Sequence, residues 1–188
     1  MKANPKPAWN ADRLDMRAFA QANGALQADE PLARFERLAN EAVAHDGLPP
    51  DLQVQWSARG EMRPAATGGA PAPWLHLEAQ TTIPVTCQRC LGPVQTPLVV
   101  DRWFRFVADE ATAAALDDDC EEDLLALEPQ PSLHDLLEDE LLMAMPLVPM
   151  HDTCPVPVVM QAADPGIDAA DDAPQRPNPF ADLARLKK

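Results

Sequence analysis

The stretch Thr81-Thr-Ile-Pro-Val-Thr-Cys-Gln-Arg-Cys-Leu-Gly-Pro-Val94 connects two segments that have the residue pattern of β-strands. Gly92-Pro93 is typical of a turn, and a long strand-like run to Val107 follows it. The predicted hairpin therefore has a C-x2-C pair, Cys87 and Cys90, at its tip. Two thiols at this spacing can bind one metal ion, form a redox pair or remain plain thiols.

Two further strand-like segments precede this hairpin. Leu52-Gln-Val-Gln-Trp-Ser-Ala58 alternates apolar and polar residues, as a half-buried strand does. A second segment begins at Trp74, after a loop rich in Gly and Pro at 65–73. Because no helical pattern separates these strands, the sequence predicts an antiparallel β-meander and argues against a parallel sheet.

Helical patterns lie on both sides of the meander. A short helix is predicted after its cap, Asp15, and a longer one over 31–44, with Asp29 as its cap. In the last helix Ser132 and Asp135 resemble a capping box, Pro146 ends the pattern, and one face is apolar (Leu133, Leu136, Leu137, Leu141, Ala144 and Met145). We therefore expect an α+β fold in which the meander, with its C-x2-C knuckle hairpin, packs against an N-terminal and a C-terminal helix.

The 188 residues favour one folded domain with loose ends. We expect a disordered N-terminus at 1–12, an α+β domain at 13–154, a flexible linker rich in Pro, Asp and Ala at 155–177, and a short amphipathic motif at 178–188. The chain shows no secretory signal, no apolar run long enough for a membrane span and only four cysteines. These features predict a cytoplasmic protein without a membrane partner.

The charge distribution constrains the partners. The formal net charge is −15, and no Lys or Arg occurs between Ala108 and Glu140, where an acidic loop is predicted over about 108–131. Nucleic-acid binding depends on cations that displace phosphate counterions, so this balance argues against DNA and against a broad RNA surface. An acidic stretch suits a basic protein partner; alternatively, it is a solvated loop. The run Glu138-Asp-Glu140 is most simply the solvated face of its helix.

A second pair of metal-ligand residues, His151 and Cys154, lies in Pro149-Met-His-Asp-Thr-Cys-Pro155. Together with Cys87 and Cys90 it makes a Cys3His set that suits one zinc ion per chain. A thioredoxin-type redox centre is less well matched, because that chemistry needs a helix directly after the C-x2-C pair.

Three cations near the predicted sheet, Arg89, Arg102 and Arg105, are candidates for contact with the phosphate backbone of a nucleic acid or with the acidic stretch. Pairing within the protein is the alternative. Trp56, Trp74 and Trp103 can stack on bases, but strand tryptophans more often lie in the core. The sequence has no Ser-His-Asp order, phosphate loop or H-E-x-x-H motif.

The last residues, Asn178-Pro-Phe-Ala-Asp-Leu-Ala-Arg-Leu-Lys-Lys188, place Phe180, Leu183 and Leu186 on one side of a helix. This pattern predicts a segment that docks onto a partner, or one that folds back onto its own domain.

Three motifs in this order resemble the YceD family, the large-subunit ribosomal RNA accumulation proteins: Cys87-Gln-Arg-Cys-Leu91, Glu138-Asp-Glu-Leu-Leu-Met-Ala-Met-Pro-Leu-Val-Pro149, and Asn178-Pro-Phe-Ala-Asp-Leu-Ala-Arg-Leu-Lys187. The resemblance implies a bacterial, non-catalytic ribosome biogenesis factor that promotes accumulation of large-subunit (23S) ribosomal RNA. The implied partner is a large-subunit ribosomal precursor or a basic ribosomal protein. The alternatives are a thiol-redox or metal-dependent enzyme that uses Cys87 and Cys90, and an acidic adaptor protein without a link to RNA.

Overall fold

The strands Gln53–Arg63 (β2), Ala72–Thr86 (β3) and Pro93–Val107 (β4) form the centre of a five-stranded sheet. Ala25–Pro31 (β1) and Asp123–Ala126 (β5) complete it, in the order β1-β2-β3-β4-β5. This computed structural model describes residues 9–43, 51–64 and 70–157. Neighbours from β1 to β4 pair antiparallel, whereas β5 pairs parallel with β4. The predicted α+β class is confirmed, but the sheet is mixed.

Alternation along the strands buries one face of the sheet. In β2, Val54, Trp56 and Ala58 are buried, while the residues between them are exposed or half-buried. The pattern continues in β3 and β4, and their buried residues join side chains of the helices in one core (Leu14, Met16, Phe19, Leu32, Phe35, Leu38, Leu75, Leu77, Ile83, Leu98, Phe104, Phe106, Leu133, Leu137 and Leu141 among them). Each large apolar side chain buried in this core contributes about 1.5–3 kcal/mol to stability.

The described residues include four α-helices: α1 (Met16–Gln21), α2 (Glu36–Glu41), α3 (Glu110–Leu116) and α4 (Leu133–Met143). Two predicted caps are confirmed. The Asp15 carboxylate accepts a hydrogen bond from the Ala18 N–H at 2.9 Å, and Ser132 Oγ accepts one from the Asp135 N–H at 3.1 Å. Each cap satisfies an N–H group that the first helical turn leaves unpaired.

The helix predicted over 31–44 is confirmed only over Glu36–Glu41, where α2 lies, and its predicted start is wrong. Pro31 is extended (φ −62°, ψ 139°) and ends β1, where it pairs with Gln53. Only a 3-10 turn, Leu32–Arg34, and the short α2 follow. Leu32, Phe35 and Leu38 of the predicted apolar stripe are nevertheless buried, with Phe35 at 1% exposure, while Ala39, Ala42 and Val43 are half-buried. The predicted apolar face is therefore confirmed for the buried residues. Residues 25–31 form a strand because they pair with β2, so Asp29 lies in β1 and does not cap a helix.

The acidic segment predicted as a loop over about 108–131 contains α3, a 3-10 turn at Asp117–Asp119 and β5. The antiparallel pairing expected of the meander is confirmed for β2, β3 and β4, but β5 adds a parallel pair that was not predicted. The chain leaves β4, passes through α3 and returns beside β4, with Phe104 paired to Asp123. A helical crossover of this kind is what a parallel pair of strands requires.

Glu138 and Glu140 were expected on a solvated helix face, and this is wrong. They are only 8% and 5% exposed. Glu138 binds the start of α2, where its carboxylate accepts from the backbone N–H of Arg37 at 2.7 Å. Glu140 lies 3.6 Å from the guanidinium of Arg102, and burial raises its pKa above the ordinary value. These acids attach α4 to its neighbours and so position the segment that follows the helix.

The chain divides into two compact units, Met1–Cys154 and Pro155–Lys188. Residues 9–12 fall in the stretch that we expected to be disordered, yet they make contacts: Trp9 packs edge-on against Phe19, and Asp12 lies 2.6 Å from His134. Of the predicted linker only 155–157 are described, and the motif at 178–188, with Phe180, Leu183 and Leu186, lies outside the described residues. None of the helices in the described ranges has the length and hydrophobicity needed to cross a membrane.

Candidate metal centre

The C-x2-C pair lies in the connection between β3 and β4. Thr86, the last residue of β3, pairs with Pro93, the first residue of β4. Between them, the Cys87 N–H donates to the Gly92 carbonyl, and the Leu91 N–H donates to the Cys87 carbonyl, both at 2.9 Å. Leu91 adopts a left-handed conformation (φ 59°) that closes this turn. Cys87 is completely buried, whereas Cys90 is half-buried.

The segment after α4 reaches the same turn. The Gln88 N–H donates to the Pro149 carbonyl at 2.9 Å, and the His151 N–H points to Cys87 Sγ at 3.5 Å. His151 Nδ1 lies 3.4 Å from Cys90 Sγ. Two parts of the chain about sixty residues apart are thereby held together.

All four predicted ligand residues converge. The ligand atoms of Cys87, Cys90, His151 and Cys154 lie within 4.8 Å of one another. A tetrahedral zinc ion with bonds of about 2.0–2.3 Å needs ligand atoms about 3.3–3.8 Å apart, so small side-chain movements suffice to meet that geometry. Three sulfur atoms and one imidazole nitrogen are also the donor set that zinc prefers.

The imidazole of His151 is oriented for coordination. Its Nε2 lies 3.0 Å from the Pro93 carbonyl oxygen. Because a carbonyl oxygen can only accept, Nε2 carries the proton and Nδ1 presents its lone pair toward Cys90. A backbone carbonyl that fixes the other ring nitrogen is a recurrent feature of histidine metal ligands.

The thiols of the pair differ in acidity. Burial is the largest influence on the Cys87 thiol and by itself raises its pKa. The backbone N–H groups of Cys90, His151 and Arg89 outweigh burial and lower that pKa to about 5. The Gly92 N–H lowers the pKa of Cys90, but burial and the two neighbouring thiols raise it further than this, so the net shift is upward. Cys87 is thus readily deprotonated, whereas Cys90 resists deprotonation unless a cation offsets the added charge.

A thioredoxin-type centre needs an exposed thiolate at the start of a helix. Here the acidic thiol, Cys87, is 0% exposed, and the turn leads into β4. The arrangement is therefore better suited to binding a metal ion than to thiol exchange with a substrate.

The three candidate RNA-contact arginines are all paired within the chain. Arg89 donates to Cys154 Sγ, Arg102 pairs with Asp123 and Glu140, and Arg105 pairs with Glu122 at 2.8 Å. The Arg105 guanidinium holds the pKa of Glu122 below its ordinary value. RNA contact by these arginines stays a prediction, and each would have to exchange an existing partner for phosphate.

The outer face of the sheet carries polar and aromatic groups that the sequence reading did not connect. The rings of His76 and Trp103 stack with their centres 4.3 Å apart, and the Arg63 guanidinium lies 3.6 Å from the centre of the Trp103 ring. His76, Glu78 and Asp101 also bring donor atoms within 4.8 Å of one another. Side chains two residues apart in a strand lie on the same face of the sheet. The spacing of His76 and Glu78 in β3, and of Asp101 and Trp103 in β4, could therefore have indicated this shared face from the sequence.

Comparison with known proteins identifies the family. The model of the family described as "Large ribosomal RNA subunit accumulation protein YceD" matches residues 75–187, well over half of the chain. The chain belongs to the YceD family. A curated YceD relative from Haemophilus influenzae, also described as a large ribosomal RNA subunit accumulation protein, is 32% identical over 111 residues, which cover 59% of this chain and 63% of the relative. The chain thus spans less than two thirds of that relative's length. No solved structure matches.

Proposed function

We propose that this YceD protein is a non-catalytic ribosome biogenesis factor that promotes accumulation of large-subunit ribosomal RNA in the cytoplasm. Membership of a family named for that process supports the biological role. The family is named as an accumulation protein and not as an enzyme. The observation that carries the molecular part is the convergence of Cys87, Cys90, His151 and Cys154 within 4.8 Å.

One zinc ion per chain would be held by these four side chains. The metal would link the β3–β4 turn to the segment after α4, a stabilisation that neither part can supply alone. Its role is structural, because three thiolates and one imidazole fill a tetrahedral site and leave no position for a substrate. The zinc knuckle would thus make a rigid surface at this end of the sheet.

The partner is a large-subunit ribosomal precursor, contacted mainly through a basic ribosomal protein. The net charge of −15 and the acidic segment around α3 favour a basic protein surface. The internal pairs of Arg102 and Arg105 limit RNA binding to local contacts near Arg89, Arg102 and Arg105. Phe180, Leu183 and Leu186 would add a second docking segment.

Affinity capture of the tagged full-length protein, with and without nuclease, tests the role. We expect large-subunit proteins or precursors to co-purify, and capture to fall in a Cys87→Ser/Cys90→Ser double variant. Cys120→Ser is the matched control, because Cys120 is half-buried in the acidic segment outside the cluster. Recovery of no ribosomal component by the wild-type protein would contradict the proposal.

A thiol-redox enzyme is the second candidate, and the lowered pKa of Cys87 favours it. It predicts reversible oxidation of Cys87 and Cys90 by a cytosolic thiol system and activity without metal. Stoichiometric zinc with no catalytic thiol exchange would reject this candidate. Capture of a partner without ribosomal components would instead support an acidic adaptor.

A further inference from the structure

Arg89 connects the two halves of the metal-ligand cluster. Its side chain projects from the turn between Cys87 and Cys90 and reaches the segment at 151–154. Nε donates to Cys154 Sγ at 3.0 Å, and one terminal nitrogen donates to the carbonyl oxygens of His151 at 2.7 Å and Asp152 at 3.3 Å. One guanidinium thus holds a ligand sulfur and the backbone that carries both downstream ligands.

The charge of Arg89 also matches the cluster. Zinc bound by three thiolates and a neutral imidazole carries a net charge of −1, which a single guanidinium offsets. Hydrogen bonds from a charged donor are stronger than neutral ones, and the Arg89 guanidinium donates directly to the sulfur of Cys154. Lysine would supply the charge but not the planar fork that reaches a sulfur and two carbonyls together.

We propose that Arg89 is a positioning residue that holds 151–154 against the C-x2-C turn, so that Cys154 is presented as a ligand before metal binds. The proposal rests on the metal centre proposed above. It gives Arg89 a role in the protein's own architecture, separate from the RNA contact proposed near it. Arg89 does not coordinate the ion; it reduces the ordering cost that binding would otherwise incur.

Metal affinity measures this role. We expect Arg89→Gln to weaken zinc binding by about 10–100-fold in competition with a chromophoric chelator, the range typical of residues that support metal ligands. With cobalt as the probe, its thiolate-to-metal charge-transfer absorption should fall toward that of Cys154→Ser. Arg89→Lys should recover part of the affinity. The control Arg34→Gln removes a half-exposed arginine whose ion pair with Glu30 is 3.9 Å long, and it should bind zinc like the wild type.

Hydrogen exchange of the metal-free protein separates this proposal from the metal centre itself. Arg89→Gln should speed exchange in the peptide that contains 149–154 and leave the peptides of β2 unchanged. If the wild type binds no zinc, the metal centre is wrong, and the exchange experiment still decides the role of Arg89. Unchanged exchange, or unchanged zinc affinity and cobalt spectrum in Arg89→Gln, would overturn the positioning role.

Discussion

Replacing Glu138 with glutamine should destabilise the domain, because this buried carboxylate caps a helix from a distance. Phe35 precedes α2 and supplies no side-chain cap. Glu138 Oε1 instead accepts from the N–H groups of Arg37 at 2.7 Å and Leu38 at 3.2 Å, and Oε2 accepts from Arg37 Nε at 2.8 Å. Glutamine keeps one acceptor oxygen but turns an N–H2 group toward the Arg37 guanidinium, so that two donors face each other.

The expected loss follows from these three bonds. A lost cap costs about 0.5–2 kcal/mol, and a hydrogen bond to a charged group contributes about 1.5–3 kcal/mol. Arg37 is half exposed, which reduces the contribution of its ion pair. We therefore expect the free energy of unfolding to fall by about 2–4 kcal/mol. For a domain of this size, that corresponds to a decrease in Tm of roughly 4–16 °C.

Asp139→Asn is the matched control. Asp139 pairs with the same arginine, but its side chain is 52% exposed, so the loss should stay below about 1 kcal/mol. Urea unfolding and thermal melts of the three proteins provide the comparison. If Glu138→Gln lowers stability no more than Asp139→Asn does, the capping role assigned to Glu138 is incorrect.

Three further outcomes are expected. Burial raises the folded pKa of Glu140 above 4.5, so this group binds protons more tightly in the folded protein, and its contribution to stability falls as pH rises above 4.5. Unfolding from pH 4 to 8 should thus show Glu140→Gln gaining stability relative to the wild type as pH rises; a constant difference would refute this. Because the net charge is −15, the affinity for naked large-subunit RNA should be low and should change little with salt concentration. A salt titration that shows tight binding with a steep loss of affinity would contradict this prediction. Deleting 178–188 should leave Tm nearly unchanged and weaken partner capture; a lower Tm with intact capture would reject the docking segment.

Much of the central sheet could be predicted from the sequence. Alternation over 52–58 and the turn residues Gly92-Pro93 indicate β2 and the β3–β4 connection, and side chains at Asp15 and Ser132 mark two helix starts. These signals are local, because each depends on a few neighbouring residues. The grouping of His151 and Cys154 with the C-x2-C pair rested on ligand chemistry, since their separation along the chain says nothing about proximity.

The features that were missed depend on tertiary pairing. Ala25-Leu-Gln-Ala-Asp-Glu-Pro31 has no β-branched residue, and it is a strand because β2 supplies its partner. The parallel β5 is similarly set by β4. Glu138 and Glu140 have no local mark of burial, because their partners Arg37 and Arg102 come from distant parts of the chain. The sequence places Arg89 in the turn, but it does not indicate that Arg89 donates to Cys154 Sγ and to the carbonyl oxygens of His151 and Asp152.

Elemental analysis of the protein, purified without chelator, tests the central claim most directly. The account predicts one zinc ion per chain, retained in Cys120→Ser and strongly reduced in Cys154→Ser. Thiol titration of the native wild type should then find the half-buried Cys90 and Cys154 protected until the metal is removed. A protein without bound metal, in which Cys90 and Cys154 titrate freely in the native state, would contradict the account.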